Sequence, residues 1–142
     1  MSEAADLNIE QIHVGDAFSF EAPISEELID VFVGVSGDES PIHVDKEFAQ
    51  QHSYPQRVAH GALICAFFSR LIGMYCPGRL AILHSLNVRF HHATHPGDTL
   101  KIEGVVDQVA EGAKTIVLLL TASNASTNEI HVKGKAQVGF LE

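Results

Sequence analysis

The sequence predicts an α+β domain in which an antiparallel β-sheet wraps around one buried central helix. Two observations carry that expectation. Residues 61–75, GALICAFFSRLIGMY, are apolar on nearly every side, with Ser69 and Arg70 as the polar breaks. A helix that is hydrophobic all round is normally buried, and this one is too short to cross a membrane. From Ile82 onward the chain reads as strands joined by short turns. Successive strands with short connections pair antiparallel, and such a sheet supplies the wrapping the helix requires.

The elements follow in order. Val14 to Glu21 holds a Gly-Asp turn and then alternating Phe18 and Phe20, which predicts a first strand. Ser25 is a good N-cap, and Glu26 and Glu27 lie in the first turn, where the helix dipole favours carboxylates. Leu28, Ile29, Val31, Phe32 and Val35 then recur at helical spacing, so residues 25–36 are expected to form an amphipathic helix, with Gly37 as its stop. Asp45 is placed to cap a short helix to about Gln51. Strands are expected at Ile82–His91, Thr99–Val109, Lys114–Ala122 and Ile130–Phe140. The third is apolar on both faces and should be central. The last alternates strictly and should bury one face. Pro96-Gly97-Asp98, Glu111-Gly112 and the Ser123–Asn128 cluster are the turn signals between them. With 142 residues and no repeat or linker, residues 1–142 are expected to form a single domain.

Composition narrows the function classes. The formal net charge is -9, with 9 Lys and Arg in all. That balance argues against a nucleic-acid or anionic-membrane partner. It leaves room for a polyanionic small molecule held by a few cations. The N-terminus, MSEAADLNIE, has neither a basic nor an apolar region, so no secretory signal is expected. Cys65 and Cys76 read as free thiols of a cytoplasmic protein.

The chemistry points to Ser36-Gly37-Asp38-Glu39-Ser40-Pro41-Ile42-His43. Pro41 lacks an amide hydrogen and pushes Ser40 toward an extended conformation, so the first helix cannot continue. The segment is expected to be a loop between two helices, with Asp38 and His43 at its ends. A carboxylate and an imidazole facing one another suit proton transfer near neutral pH. An Asp that merely caps a turn and a His bonded to carbonyls are the ordinary alternative. His60-Gly61 opens the apolar helix. The first amides of a helix lack internal partners, and a glycine there lets a ligand approach closely. Gly61 N–H is thus a candidate to polarise a carbonyl, with an ordinary helix start, His60 capping or packing, as the plainer reading.

Gly37-Asp38-Glu39-Ser40-Pro41-Ile42-His43, then His60-Gly61, then Val88-Arg89-Phe90, then Pro96-Gly97-Asp98-Thr99-Leu100 resembles the MaoC-like, (R)-specific enoyl-CoA hydratase family over roughly residues 10–140. The resemblance implies a hot-dog fold and a homodimer or higher homo-oligomer. It implies hydration of trans-2-enoyl thioesters of CoA or a carrier protein, or the reverse dehydration. Asp38 and His43 match the family's acid–base pair, and Gly61 the amide that binds the thioester oxygen. Ser40 stands where the family usually has Asn, so Ser40 and Pro41 become the loop support. His91-His92-Ala93-Thr94-His95 replaces a usually apolar or Pro-containing stretch. Neighbouring strand histidines point to opposite faces, and no metal is expected. No cofactor is expected beyond the coenzyme A of the substrate.

Further expectations concern binding. The acyl group is expected between helix and sheet, beside residues such as Phe67, Phe68 or Leu71. Arg57, Arg79, Arg89 and Lys101 are the candidates for CoA phosphates, each with a solvated surface charge as the alternative. A hot-dog thioesterase is a rival, but residues 61–76 hold no Asp or Glu to activate water. A non-catalytic acyl-CoA-binding subunit is another: the presence of Asp38 and His43 argues against it, while Ser40 argues for it.

Overall fold

The computed structural model describes residues 2–141. Five strands form one sheet: β1 (Ala17–Pro23), β2 (Ala81–Phe90), β3 (Thr99–Ala110), β4 (Thr115–Asn124) and β5 (Ile130–Phe140). Their order is β1-β3-β4-β5-β2, and every neighbouring pair is antiparallel. Between β1 and β2 lie α1 (Glu26–Ser36), α2 (Pro41–Val44), α3 (Lys46–Gln51) and α4 (Gly61–Met74).

Helix α4 lies against the sheet through Leu63, Ile64, Phe68, Leu71 and Ile72, all buried. Ile102, Leu118, Leu120, Val132 and Val138 rise from the strands to meet them. The expected β4 is central, between β3 and β5. Its even positions Ile116, Leu118, Leu120 and Ala122 face the core. Burying a Leu- or Ile-sized side chain contributes about 1.5–3 kcal/mol, so this layer supplies much of the drive to fold.

The expected Gly-Asp turn is present, with Gly15 at a positive φ of 95°, and β1 follows it at Ala17 and runs to Pro23. Two expectations need adjustment. The segment between α1 and α3 is not all loop. Pro41 begins a single helical turn, Pro41–Val44, because its fixed φ and missing N–H suit the first position of a helix. Helix α4 is also not enclosed on every side. Ala62, Ala66, Ser69 and Arg70 face outward, since one five-stranded sheet covers one face of a helix.

Candidate active site

Two segments build the site, and each owes its shape to local chemistry. Helix α1 is capped by the Ser25 hydroxyl, which accepts from Leu28 N–H at 3.1 Å. It ends at Gly37, whose φ of 73° is left-handed and whose N–H bonds the Val33 carbonyl. The turn that follows is held by short-range bonds. Asp38 N–H donates to Ser36 Oγ at 3.1 Å, and Ser40 N–H donates to Asp38 Oδ1 at 3.1 Å. His43 N–H then reaches the Ser40 carbonyl at 2.8 Å. One carboxylate oxygen of Asp38 is thus fixed by its own loop, and the other is left to face His43.

His43 is oriented from its other side. Its Nδ1–H donates to the Val58 carbonyl at 2.7 Å. Its Nε2 lies 3.7 Å from Asp38 Oδ2. That separation is too long for a direct hydrogen bond. It suits two groups that share one water. The His43 side chain is 16% exposed and that of Asp38 51%, so the pair stands where the interior opens to solvent.

Ser40, named with Pro41 as loop support, contacts this turn through its backbone. The Ser40 hydroxyl makes no capping bond to α2, while its amide and carbonyl hold Asp38 and His43. A Ser in this place therefore leaves the loop intact.

Gly61 is the first residue of α4, and the intrahelical bonds begin only at Leu63 N–H. It lines a cavity of about 490 Å³ together with His43, Tyr54, Ile64, Phe90 and Val132. An added Cβ on Gly61 would lie 2.7 Å from a Phe90 ring carbon. The glycine thus lets this edge residue of β2 lie flat beside the helix start.

The expected cations separate into different roles. Arg57 is 8% exposed. Its Nε donates to the His43 carbonyl at 2.7 Å, and its NH2 group bonds Asp30 of α1. Glu26 lies 3.9 Å from its other nitrogen. Arg57 therefore ties α1 to the His43 turn and is not a free phosphate ligand, a correction to the expectation. Arg79 pairs with Asp6 and Lys101 with Glu103 on the surface. Neither lines the cavity, and nor does Arg89. Lys133, not singled out from the sequence, lines a second hollow with His91 and His92, which also border the first. Its strand position gave no signal, because the register that brings Lys133 opposite Arg89 is a tertiary fact.

The acyl-wall candidates are also corrected. Phe68 and Leu71 are 0% exposed in the core, and Phe67 packs edge-on against Phe20. The inner wall of the cavity is Ile64 and Val132 instead.

The histidine-rich segment borders the same cavity as His43 through His91 and His92. His131, buried near the start of β5, shares a hydrogen bond with Thr94 Oγ1 at 2.7 Å and lies 3.4 Å from Glu129. Burial lowers its pKa, with the nearby Asp98 and Glu129 opposing. Burial likewise pushes the Cys76 thiol up to about 12, with Asp16 adding to it, and raises Cys65. These are sheltered thiols rather than nucleophiles.

Among the described residues, the metal-type ligand atoms that converge within 4.8 Å belong to Asp38, His43 and His60. The two imidazoles are stacked, with planes 21° apart. Each ring serves a backbone carbonyl through one of its nitrogens.

Comparison with known proteins agrees with this geometry. Residues 10–129 match the family model of the MaoC like domain. The chain is 31% identical over 129 residues to the (R)-specific enoyl-CoA hydratase of Rhodospirillum rubrum, covering 91% of this chain and 88% of that one. It is 32% identical over 99 residues to a mitochondrial 3-hydroxyacyl-[acyl-carrier-protein] dehydratase of Arabidopsis thaliana, covering 70% of this chain and 57% of the relative. The unliganded R-hydratase of Pseudomonas aeruginosa superposes with a TM-score of 0.92 at 27% identity, over 99% of this chain and 90% of that one.

Proposed function

Because the chain belongs to the MaoC-like domain family and has the hot-dog fold of the R-hydratases, we propose that it is a hydro-lyase that adds water to trans-2-enoyl thioesters with (R) outcome, or removes it from the 3-hydroxyacyl products. The observation that carries this reading is the 3.7 Å separation of Asp38 Oδ2 from the Nε2 of His43, a residue that lines the cavity.

The mechanism follows from the site. A water held by both groups is presented to C3 of the substrate. One group takes its proton as the C3–O bond forms, and the other supplies a proton to C2. Because both act from one side, the addition is syn. The Nδ1–H bond to Val58 leaves the Nε2 lone pair of His43 free for the proton. The Gly61 amide donates to the thioester oxygen, where negative charge builds as C3 is attacked. Dehydration is the same path reversed. No cofactor takes part other than the coenzyme A or carrier arm of the substrate.

The reading extends to assembly. The small outward residues of α4, Ala62, Ala66 and Ser69, and the edge strand β2, with Ile82, Leu83 and Phe90 exposed, suit pairing with a second copy as a homodimer. No helix among the described residues is long and apolar enough to cross a membrane. The reading places the enzyme in the cytoplasm, and the substrate phosphates against Arg89 and Lys133 rather than Arg57.

Two simultaneous assays test the function. Loss of the conjugated enoyl absorbance without thiol release supports hydration. Thiol release with the absorbance chromophore lost only through hydrolysis identifies a thioesterase, and binding without either change identifies an acyl-CoA-binding subunit.

A further inference from the structure

His60 takes no part in the proton transfers, yet it touches the whole site. It is 2% exposed. Its Nε2–H donates to the Asp38 carbonyl at 3.0 Å. Its ring lies flat against His43, with centroids 3.8 Å apart. Phe32 of α1 packs edge-on to it at 4.8 Å. It is also the residue before Gly61, so its backbone leads into the candidate oxyanion amide.

An N-cap role does not account for this residue. Its side chain makes no capping bond, whereas Ser, Thr, Asp and Asn are the residues that cap well. Filling space does not account for it either. Its Nδ1 is buried with no hydrogen-bond partner, and a buried unpaired polar atom costs stability that an apolar ring would not. The Nε2–H bond fixes the hydrogen on Nε2, since the Asp38 carbonyl is an acceptor only.

We propose that His60 is a positioning residue that holds Asp38 and His43 at their working separation. This rests on the reading of that pair as the acid–base pair. Asp38 lies half-exposed on a turn whose other bonds are local, and such turns are mobile. His60 joins that turn to the start of α4 through one hydrogen bond. Its face simultaneously backs the imidazole of His43. One rigid ring thereby sets both groups, and reacting groups need placement to within about 0.5 Å.

The two grips can be removed separately. His60→Phe keeps a flat ring against His43 and loses the donor. His60→Gln keeps an N–H within reach of the Asp38 carbonyl and loses the ring. His60→Ala loses both. With trans-2-butenoyl-CoA, the Phe and Gln variants are each expected to lose about tenfold in kcat and the Ala variant about a hundredfold, with KM within about threefold, since small misplacement costs on that order. Hydrogen exchange at the Ser40 amide, which bonds Asp38 Oδ1, is expected to quicken at least about tenfold in His60→Ala as the turn loosens. A folded His60→Ala protein with wild-type kcat and wild-type Ser40 exchange overturns the proposal. So does full turnover in either the Phe or the Gln variant, or a loss seen only in KM or melting temperature. If the wild-type protein hydrates nothing, the functional reading fails, and Ser40 exchange still decides whether His60 holds the turn.

Discussion

The Nδ1–H of His43 points at the Val58 carbonyl, 2.7 Å away, and this bond turns Nε2 toward Asp38. Asn at position 43 would place its amide N–H where Nδ1–H stands, with no base beyond it. His43→Asn is therefore expected to melt within a few degrees of wild type and to lose about 10²–10⁴ in kcat. Circular dichroism and the enoyl absorbance assay check the two halves.

Arg57 connects three parts of the molecule: the His43 carbonyl, Asp30 and Glu26. Arg57→Ala is expected to lower stability by about 1–3 kcal/mol, because a charge-assisted pair and a buried side chain are lost together. Asp30 is well exposed, so the vacated partner is rehydrated and the loss stays moderate. Arg57→Lys should recover little of it, since an ammonium lacks the planar fork that serves carbonyl and carboxylate at once. Urea denaturation measures the difference, and kcat should fall in parallel as the His43 turn loosens.

Gly61 meets Phe90 at the helix start. In Gly61→Ala the methyl would sit 2.7 Å from a Phe90 ring carbon. Phe90 is 55% exposed, so the ring can swing outward. The stability cost should therefore stay below about 1 kcal/mol. The methyl would still crowd the approach to the Gly61 amide, and turnover is expected to drop about 10²–10³, the range for losing an oxyanion donor. Adding Phe90→Ala should relieve the clash without restoring turnover. Full recovery in the double variant would show that the amide is not the group that matters.

His131 gives the fold a pH dependence. Burial lowers its folded pKa from the ordinary 6.5, outweighing Asp98 and Glu129. The unfolded chain therefore binds the proton more readily, and stability rises with pH in this window. Stability is fully present above about 6.5 and is lost as pH falls from there toward the folded value. His131→Asn keeps a polar group near Thr94 and cannot titrate, so the slope of melting temperature between pH 7 and pH 5 should flatten. An unchanged slope would assign the dependence to other groups.

Much of this was legible in the residues. Local chemistry marked the Ser25 cap, the Gly37 stop and the strands of the second half, because caps and alternation are written within a few positions. Asp38, His43 and Gly61 were singled out from their flanking segments, and the structure sets Asp38 Oδ2 3.7 Å from His43 Nε2. What was not legible depends on distant partners. Arg57 reads as a surface cation until α1 and the His43 turn are seen to close on it. Phe68 and Leu71 read as pocket walls until β3 and β4 cover them, which leaves Ile64 and Val132 as the wall. His60 carries no mark of its role, since its partners lie 22 and 17 positions upstream and the stack exists only in the folded chain.

Chiral analysis of the product from a trans-2-enoyl-CoA tests the central claim most directly. Wild-type protein is expected to yield the (R)-3-hydroxyacyl thioester with no free thiol. Asp38→Asn, folded as wild type, is expected to yield almost none. An (S) product, thiol release, or undiminished (R) product from Asp38→Asn would contradict the account.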